Sequence, residues 1–358
     1  MDQNSSIDLG FLESCEPWLL TNKFFPSKLG GKPAWLDLKN LPSPTDLLCE
    51  RCTKPLSFLC QIYAPIEDNE NCFHRTLYIF ICMDESCDSS LNASCRNMKV
   101  YRSQLPRRNE FYNYDPPDET VESPAVKSGV PLCVVCGCHG PKRCGRCQSV
   151  NYCGPVHQRH DWKVAHKAAC GEETVVETIK EQHNTFVLPE MEIVTEPDDY
   201  EPKPKASEEE NEKHQMEEFE RLKREGKAGV LDDLAEAELD KYAEDQVEDK
   251  VFARFKERIA NAPRQVLRYE RGGKPLWLSP IEPQEVPKCG RCGGERMFEF
   301  QIMPQLLSYL DREKLDWGTL ACFTCKASCS VEGYAEEFLF RQDVLDTTAT
   351  AGSHQSEG

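Results

Sequence analysis

The 358-residue sequence has no long apolar run. The longest, Leu77 to Cys82, falls far short of the roughly 18 residues that cross a bilayer. Its opening residues, Met1-Asp2-Gln3-Asn4, carry no basic segment of the kind that begins a secretion signal. Membrane insertion and secretion are therefore not expected, and the expected location is the cytoplasm, with the nucleus as a second compartment. Catalytic signatures are missing as well: no Gly-x-Gly-x-x-Gly, P-loop, Gly-x-Ser-x-Gly or His-Glu-x-x-His is present, so an enzyme is not expected. Positive charge is in deficit. The 43 Lys and Arg against 61 Asp and Glu leave a net charge of −18, which disfavours direct nucleic-acid binding by the chain as a whole. The length suits two or three compact units. A mean hydropathy of −0.60 says that part of the chain lies outside any core.

What the chain has in quantity is cysteine, 20 residues in all. Without a secretion signal the thiols are expected to stay reduced, which turns the reading from disulfides to metal. Cys-x-x-Cys pairs occur at Cys49/Cys52, Cys133/Cys136, Cys144/Cys147, Cys289/Cys292 and Cys322/Cys325. A thioredoxin-like redox site requires such a pair beside a βαβ pattern, and none sits in that setting. Cys15, Cys60, Cys72 and Cys95 are unpaired in this sense and read as small buried apolar residues.

The chain repeats itself. Gly30-Gly31-Lys32-Pro33-Ala34-Trp35-Leu36 recurs as Gly272-Gly273-Lys274-Pro275-Leu276-Trp277-Leu278, and each copy precedes a Cys-x-x-Cys pair and then an apolar β-like run, Leu56 to Tyr63 and Met297 to Met303. Twenty-nine residues separate Cys52 from Cys82 and Cys292 from Cys322. Two duplicated modules, each short of core alone, are expected to pack as one composite, mainly β domain. Each could hold an ion: Cys49, Cys52, Cys82 and Cys87 in the first, with His74 or Cys72 as substitutes; Cys289, Cys292, Cys322 and Cys325 in the second, with Cys329 competing.

Between the repeats the composition swings. Residues 133–170 hold six basic groups and one acid, whereas residues 189–250 hold 23 acids and nine bases. Proline-broken, acid-rich sequence from Glu196 to Glu212 has too few apolar groups to offset chain entropy. Leu231, Leu234, Leu239 and Tyr242, then Val251, Phe252, Phe255 and Ile259, recur at helical spacing up to Pro263. The expected organisation is therefore a first β-rich repeat (1–114), a linker (115–132), a cysteine-rich insert (133–170), an acidic and largely disordered linker (171–230), an amphipathic helix (231–262), a second β-rich repeat (263–346) and a disordered tail (347–358).

The insert offers Cys133, Cys136, Cys144, Cys147, Cys153, His157, His166 and Cys170, eight donors in 38 residues, which suits two tetrahedral Zn²⁺ ions with closed shells. Cys138 and His160 are spare donors nearby. The run Tyr152-Cys153, His157-Gln158, Asp161-Trp162, His166-Lys167 and Cys170 resembles a MYND zinc finger. That resemblance implies a cross-braced arrangement, with Cys133, Cys136, Cys153 and His157 on one ion and Cys144, Cys147, His166 and Cys170 on the other. It also implies a protein-reading module that takes proline-containing peptides. Histidine stands at the sixth ligand position, where cysteine is usual, and the Trp162 to His166 gap is one residue longer than common.

The chain as a whole resembles the programmed cell death protein 2 family. The likeness runs through the Gly30 to Leu36 motif, Pro55 to Leu59, Ala64-Pro65, the inserted finger, Phe298 to Leu307, Asp316-Trp317-Gly318 and Gln342-Asp343-Val344. It implies a β-rich duplicated domain acting in small ribosomal subunit assembly, as a zinc-binding chaperone or adaptor for a newly made ribosomal protein of the universal-S-five family. A free ribosomal protein is basic, and the acidic stretch is suited to attract it. The alternative expectation is a transcriptional or corepressor adaptor working through the finger.

Overall fold

A computed structural model describes residues 7–66, 68–84, 87, 95–171, 184–200, 250–310, 312 and 315–343. Ten strands close into a barrel. The first repeat supplies β1 (Asp8–Glu13), β2 (Lys28–Leu29), β3 (Ser57–Tyr63), β4 (His74–Ile81) and β5 (Met98–Leu105). A two-stranded ribbon in the insert follows, β6 (Lys142–Arg143) and β7 (Asn151–Tyr152). The remaining barrel strands are β8 (Met191–Pro197), β9 (Leu267–Tyr269), β10 (Arg296–Ile302), β11 (Thr319–Cys325) and β12 (Tyr334–Gln342). Around the barrel the order is β1-β8-β2-β3-β4-β5-β12-β11-β10-β9, closing on β1.

Strand alternation builds two surfaces from one run of residues. In β4, Leu77, Ile79 and Ile81 point into the barrel core, while Tyr78 and Phe80 face outward onto a second apolar layer. In β11, Leu320 and Cys322 point inward and Ala321 and Phe323 outward.

The duplication is visible in the register. The β3–β4 ladder carries a bulge between Phe58 and Cys60, and the β10–β11 ladder one between Phe298 and Phe300, in each case beginning six residues after the second cysteine of the preceding pair. Gln61 Oε1 accepts from the Ala34 N–H at 2.9 Å, and Gln301 Oε1 from the Leu276 N–H at 2.6 Å, so each Gly-Gly-Lys-Pro motif is tied to its own repeat by the same clamp. β5 pairs with β12 to join the repeats on one side. On the other side strands are exchanged: β1 pairs with β9 of the second repeat, and β8, which precedes that repeat, pairs with β2 of the first. Neither repeat can close its sheet alone.

Part of the stretch read as a largely disordered linker, 171–230, is a barrel strand, while its residues 172–183 and 201–230 lie outside the described residues. That strand is β8, with residues 192–197 paired to β1 and Met191 paired to Leu29 of β2, and Ile193 lies in the core. Two of the acids counted there are fixed by bases: Glu190 by Lys28 at 2.5 Å, and Asp198 by Arg258 and Arg268 at 2.7 and 2.8 Å. Of the amphipathic helix placed at 231–262, residues 250–260 are helical, with Phe255 buried against Leu278 and Met303. Its earlier part, and the tail at 347–358, lie outside the described residues.

Buried ion pairs cross from one repeat to the other. Arg75 on β4 meets Glu299 on β10 through both terminal guanidinium nitrogens, with Nη2 at 2.7 Å from Oε2 and both side chains fully buried. Burial pushes the Glu299 carboxyl up, but Arg75, Thr324 and Arg271 outweigh it and hold it below the ordinary glutamate range. Arg102 on β5 reaches Glu337 on β12 at 2.7 Å, and Arg296 reaches the other oxygen of that carboxylate at 2.9 Å.

Candidate metal centres

Among the described residues, four groups of four Cys and His side chains converge, and within each group all donor atoms lie within 4.8 Å of one another. They are Cys49, Cys52, Cys82 and Cys87; Cys133, Cys136, Cys153 and His157; Cys144, Cys147, His166 and Cys170; and Cys289, Cys292, Cys325 and Cys329. Fourteen of the twenty cysteines are used, and all the cysteines are free thiols.

The local chain geometry explains why. In each group a Cys-x-x-Cys pair forms a tight knuckle in which the residue after the second cysteine returns its N–H to the carbonyl of the first: Thr53 to Cys49 (2.9 Å), Gly137 to Cys133 (2.8 Å), Gln148 to Cys144 (3.0 Å) and Gly293 to Cys289 (2.8 Å). All four returning residues are left-handed, with φ of 58°, 73°, 59° and 70°. Thr53 and Gln148 hold this conformation despite their Cβ, at a cost of about 1–2 kcal/mol each. The turn also aims backbone N–H groups at the first sulfur. Burial pushes the Cys144 and Cys289 thiols up, but the N–H groups of Arg146 and Cys147, and of Arg291 and Cys292, outweigh it, helped by hydrogen bonds from neighbouring cysteine and histidine donors. Cys144 ends at about 6 and Cys289 at about 7. Cys49 is lowered in the same way. Thiolate is the form that binds metal.

The spacings fit zinc. Tetrahedral Zn²⁺ with bonds of about 2.3 Å to sulfur places neighbouring sulfurs roughly 3.8 Å apart. The observed Sγ–Sγ distances are 3.5 Å for Cys49–Cys87 and Cys52–Cys82, 3.9 Å for Cys136–Cys153, 3.8 Å for Cys144–Cys170, 3.7 Å for Cys289–Cys329 and 3.6 Å for Cys292–Cys325. A disulfide would need about 2.05 Å. His157 offers Nδ1, 3.1 Å from Cys153 Sγ, and His166 offers Nε2, 3.4 Å from Cys147 Sγ. With four protein donors in each group, no position is left for substrate, which marks structural rather than catalytic sites.

Within the insert, the two quartets interleave along the chain, as a cross-braced finger requires. α1 (Pro155–Asp161) carries His157, and a π-type turn from Trp162 to His166 follows it. The extra residue between Trp162 and His166 is taken up by that wider turn, which keeps His166 aimed at Cys147. The spare donors stay out: Cys138 Sγ contacts the Cys136 carbonyl, and His160 packs against Phe186.

The barrel sites clip the open ends of two hairpins. Cys49 and Cys52 precede β3, and Cys82 and Cys87 follow β4. Neither expected substitute reaches them: His74 bonds Tyr63 at 3.0 Å and stacks on Phe25, and Cys72 is buried near the Ser328 carbonyl. In the second repeat Cys322 is not a ligand, and Cys329 takes its place. Phe58 pairs with Phe80, twenty-two residues on, but Phe298 pairs with Phe323, twenty-five residues on, so the second connection is three residues longer. Equal sequence spacing to Cys82 therefore lands on Cys322, inside the barrel beside Leu320. Equal register lands on Cys325. Sequence reasoning also missed Arg102 and Glu337, which hold this site from outside: Arg102 Nη1 donates to the Cys329 carbonyl at 3.1 Å, and Glu337 Oε2 accepts from the Cys325 N–H at 3.1 Å. No motif marks them, since they meet only across the β5–β12 seam.

The finger is docked on the first repeat. Trp35 Nε1 donates to the Gly137 carbonyl at 2.8 Å, and Asn184, in the segment that follows the finger, donates Nδ2 to the Val135 carbonyl at 2.8 Å. Gly137 sits so close that a Cβ there would lie 2.7 Å from Lys32 Cβ.

Three family profiles match the same divisions: "Programmed cell death protein 2, N-terminal domain" at residues 6–119, "MYND finger" at 133–170, and "Programmed cell death protein 2, C-terminal putative domain" at 249–343. Programmed cell death protein 2 of Rattus norvegicus is 44% identical over 96% of this chain and 98% of its own length. The chain belongs to the programmed cell death protein 2 family. A human relative, Programmed cell death protein 2-like, is 30% identical over 89% of this chain and 90% of its own. A Schizosaccharomyces pombe relative, named "Probable 20S rRNA accumulation protein 4", is 26% identical over 87% of this chain and 91% of its own. No solved structure matches this chain.

Proposed function

We propose that this protein is a non-enzymatic, four-zinc chaperone or adaptor that holds a newly made small-subunit ribosomal protein of the universal-S-five family, in the cytoplasm and nucleus, and so supports ribosome biogenesis. The observation that carries this reading is the near-full-length relative named for 20S rRNA accumulation. Physical chemistry supports it. The site chemistry is structural, and residues 201–249 carry 18 acids against eight bases, a charge suited to speed encounter with a basic client. The finger adds a second protein-reading surface for proline-containing peptides.

The test is a pulldown with tagged full-length protein and an inventory of what co-purifies. Client recovery is expected to survive Cys133→Ser with Cys136→Ser, and to fall when Cys289→Ser with Cys292→Ser opens the barrel site. Recovery of chromatin factors through the finger, with no ribosomal protein retained, would overturn the proposal in favour of a transcriptional adaptor.

A further inference from the structure

The duplication has left two equivalent grooves in different states. In the first repeat, the groove beside Lys32 and Trp35 is already filled by the chain itself. Asn22 clamps Val126 on both sides, accepting from its N–H at 2.9 Å and donating to its carbonyl at 3.0 Å. Gly129 adds an N–H to the Leu38 carbonyl at 2.8 Å. The Trp35 indole is satisfied by the Gly137 carbonyl, and that glycine covers the Lys32 stem. What remains is a cavity of about 560 Å³.

In the second repeat the matching groove, beside Lys274 and Trp277, has about 1140 Å³. No finger lies on it. Trp277 packs edge-on against Phe340, but its Nε1–H has no acceptor among the described residues. Phe298, Phe323 and Val286 supply an apolar floor. The 250–260 helix brings Arg254 to the groove's lining, which also includes Lys274; both are exposed, and neither has an ion-pair partner among the described residues. Of the other bases in the groove, Arg258 and Arg268 share the Asp198 carboxylate, and Arg296 shares Glu337 with Arg102. Glu270 and Glu282 are the acids in its lining.

We propose that this groove docks an extended segment of a partner protein that bears carboxylates, seated as residues 125–137 are seated on the first repeat. A backbone carbonyl of the segment accepts from Trp277 Nε1, small apolar side chains cover the floor, and acidic side chains meet Arg254 and Lys274. This surface is separate from the attraction of a basic client by the acidic stretch, and it carries the opposite charge preference.

The probes are two fluorescein-labelled, C-terminally amidated peptides, residues 122–137 of this chain with Cys133→Ser and Cys136→Ser, and the same peptide with Lys127→Glu, titrated by polarisation into zinc-loaded full-length protein. The acidic peptide is expected to bind about fivefold more tightly at low salt, since exposed ion pairs contribute modestly. Arg254→Glu with Lys274→Glu reverses that preference. In ¹⁵N spectra the indole cross-peak that moves on titration is the one lost in Trp277→Phe. Zinc content and melting temperature of each variant establish that it is folded. Equal binding of the two peptides, a preference insensitive to the charge reversal, or an unmoved Trp277 indole overturns the proposal. So does binding seen only after deletion of residues 201–249, which makes the chain its own occupant, or a dimer dispersed by Trp277→Phe, which makes the occupant a second copy.

Discussion

Replacing Cys325 and Cys322 separately by serine gives the sharpest test of the second-repeat site. Cys325 Sγ lies 3.6 Å from Cys292 Sγ, whereas Cys322 is fully buried in the barrel core. A structural zinc site contributes about 10–16 kcal/mol, so an even share for one of four ligands is roughly 2.5–4 kcal/mol, or about 100- to 1,000-fold in affinity. Cys325→Ser is therefore expected to release one ion per chain to a competing chelator at a concentration that leaves the other three bound. Cys322→Ser places an unpartnered hydroxyl in an apolar core, costing about 1–3 kcal/mol of folding free energy with all four ions retained. Elemental analysis after graded chelation, set beside urea unfolding of the same samples, reads the two effects apart. If Cys322→Ser sheds an ion and Cys325→Ser does not, the register argument is wrong.

Arg75→Met is expected to destabilise the barrel by about 3–5 kcal/mol because it strands a buried carboxylate. Arg75→Met with Glu299→Leu should recover most of that loss in denaturant unfolding, and an equal loss in the double variant would refute the pairing. Since the folded Glu299 carboxyl is held below its ordinary value of 4.5, the stability it contributes is complete above that pH and drains away as pH falls through the lower folded value. The gap in unfolding free energy between wild type and Arg75→Met should accordingly narrow below pH 4.5, and a gap that widened there would contradict the sign. Gly137→Ala forces a Cβ onto Lys32 at a φ of +73°, so about 1–2 kcal/mol is expected to be lost from finger docking. Proteolysis of the finger should quicken while zinc content holds. Deleting residues 201–249 should slow client association and flatten its salt dependence, and unchanged kinetics would remove charge steering from the account.

The knuckles, the interleaved finger ligands and the paired Gly-Gly-Lys-Pro motifs were legible in the sequence because each is set by a few neighbouring residues. Two cysteines three positions apart can face one ion in a single tight turn, wherever the rest of the chain goes. The one ligand misassigned, Cys322, was judged by spacing across a connection, where a difference of three residues goes unmarked. The acidic stretch was read from composition, which sees charge but not the strand partner that β1 provides for residues 192–197.

By itself, the amino-acid sequence determined that this is a duplicated, cysteine-rich β protein with an inserted finger, because repetition and ligand spacing are local properties of the chain. The tertiary structure alone decided which cysteine completes the second-repeat site, that the repeats exchange strands, and that Arg75, Glu299, Arg102 and Glu337 bind them together. Those outcomes depend on register and barrel closure, where loop length and the pairing of distant segments choose among contacts that the linear order leaves equivalent.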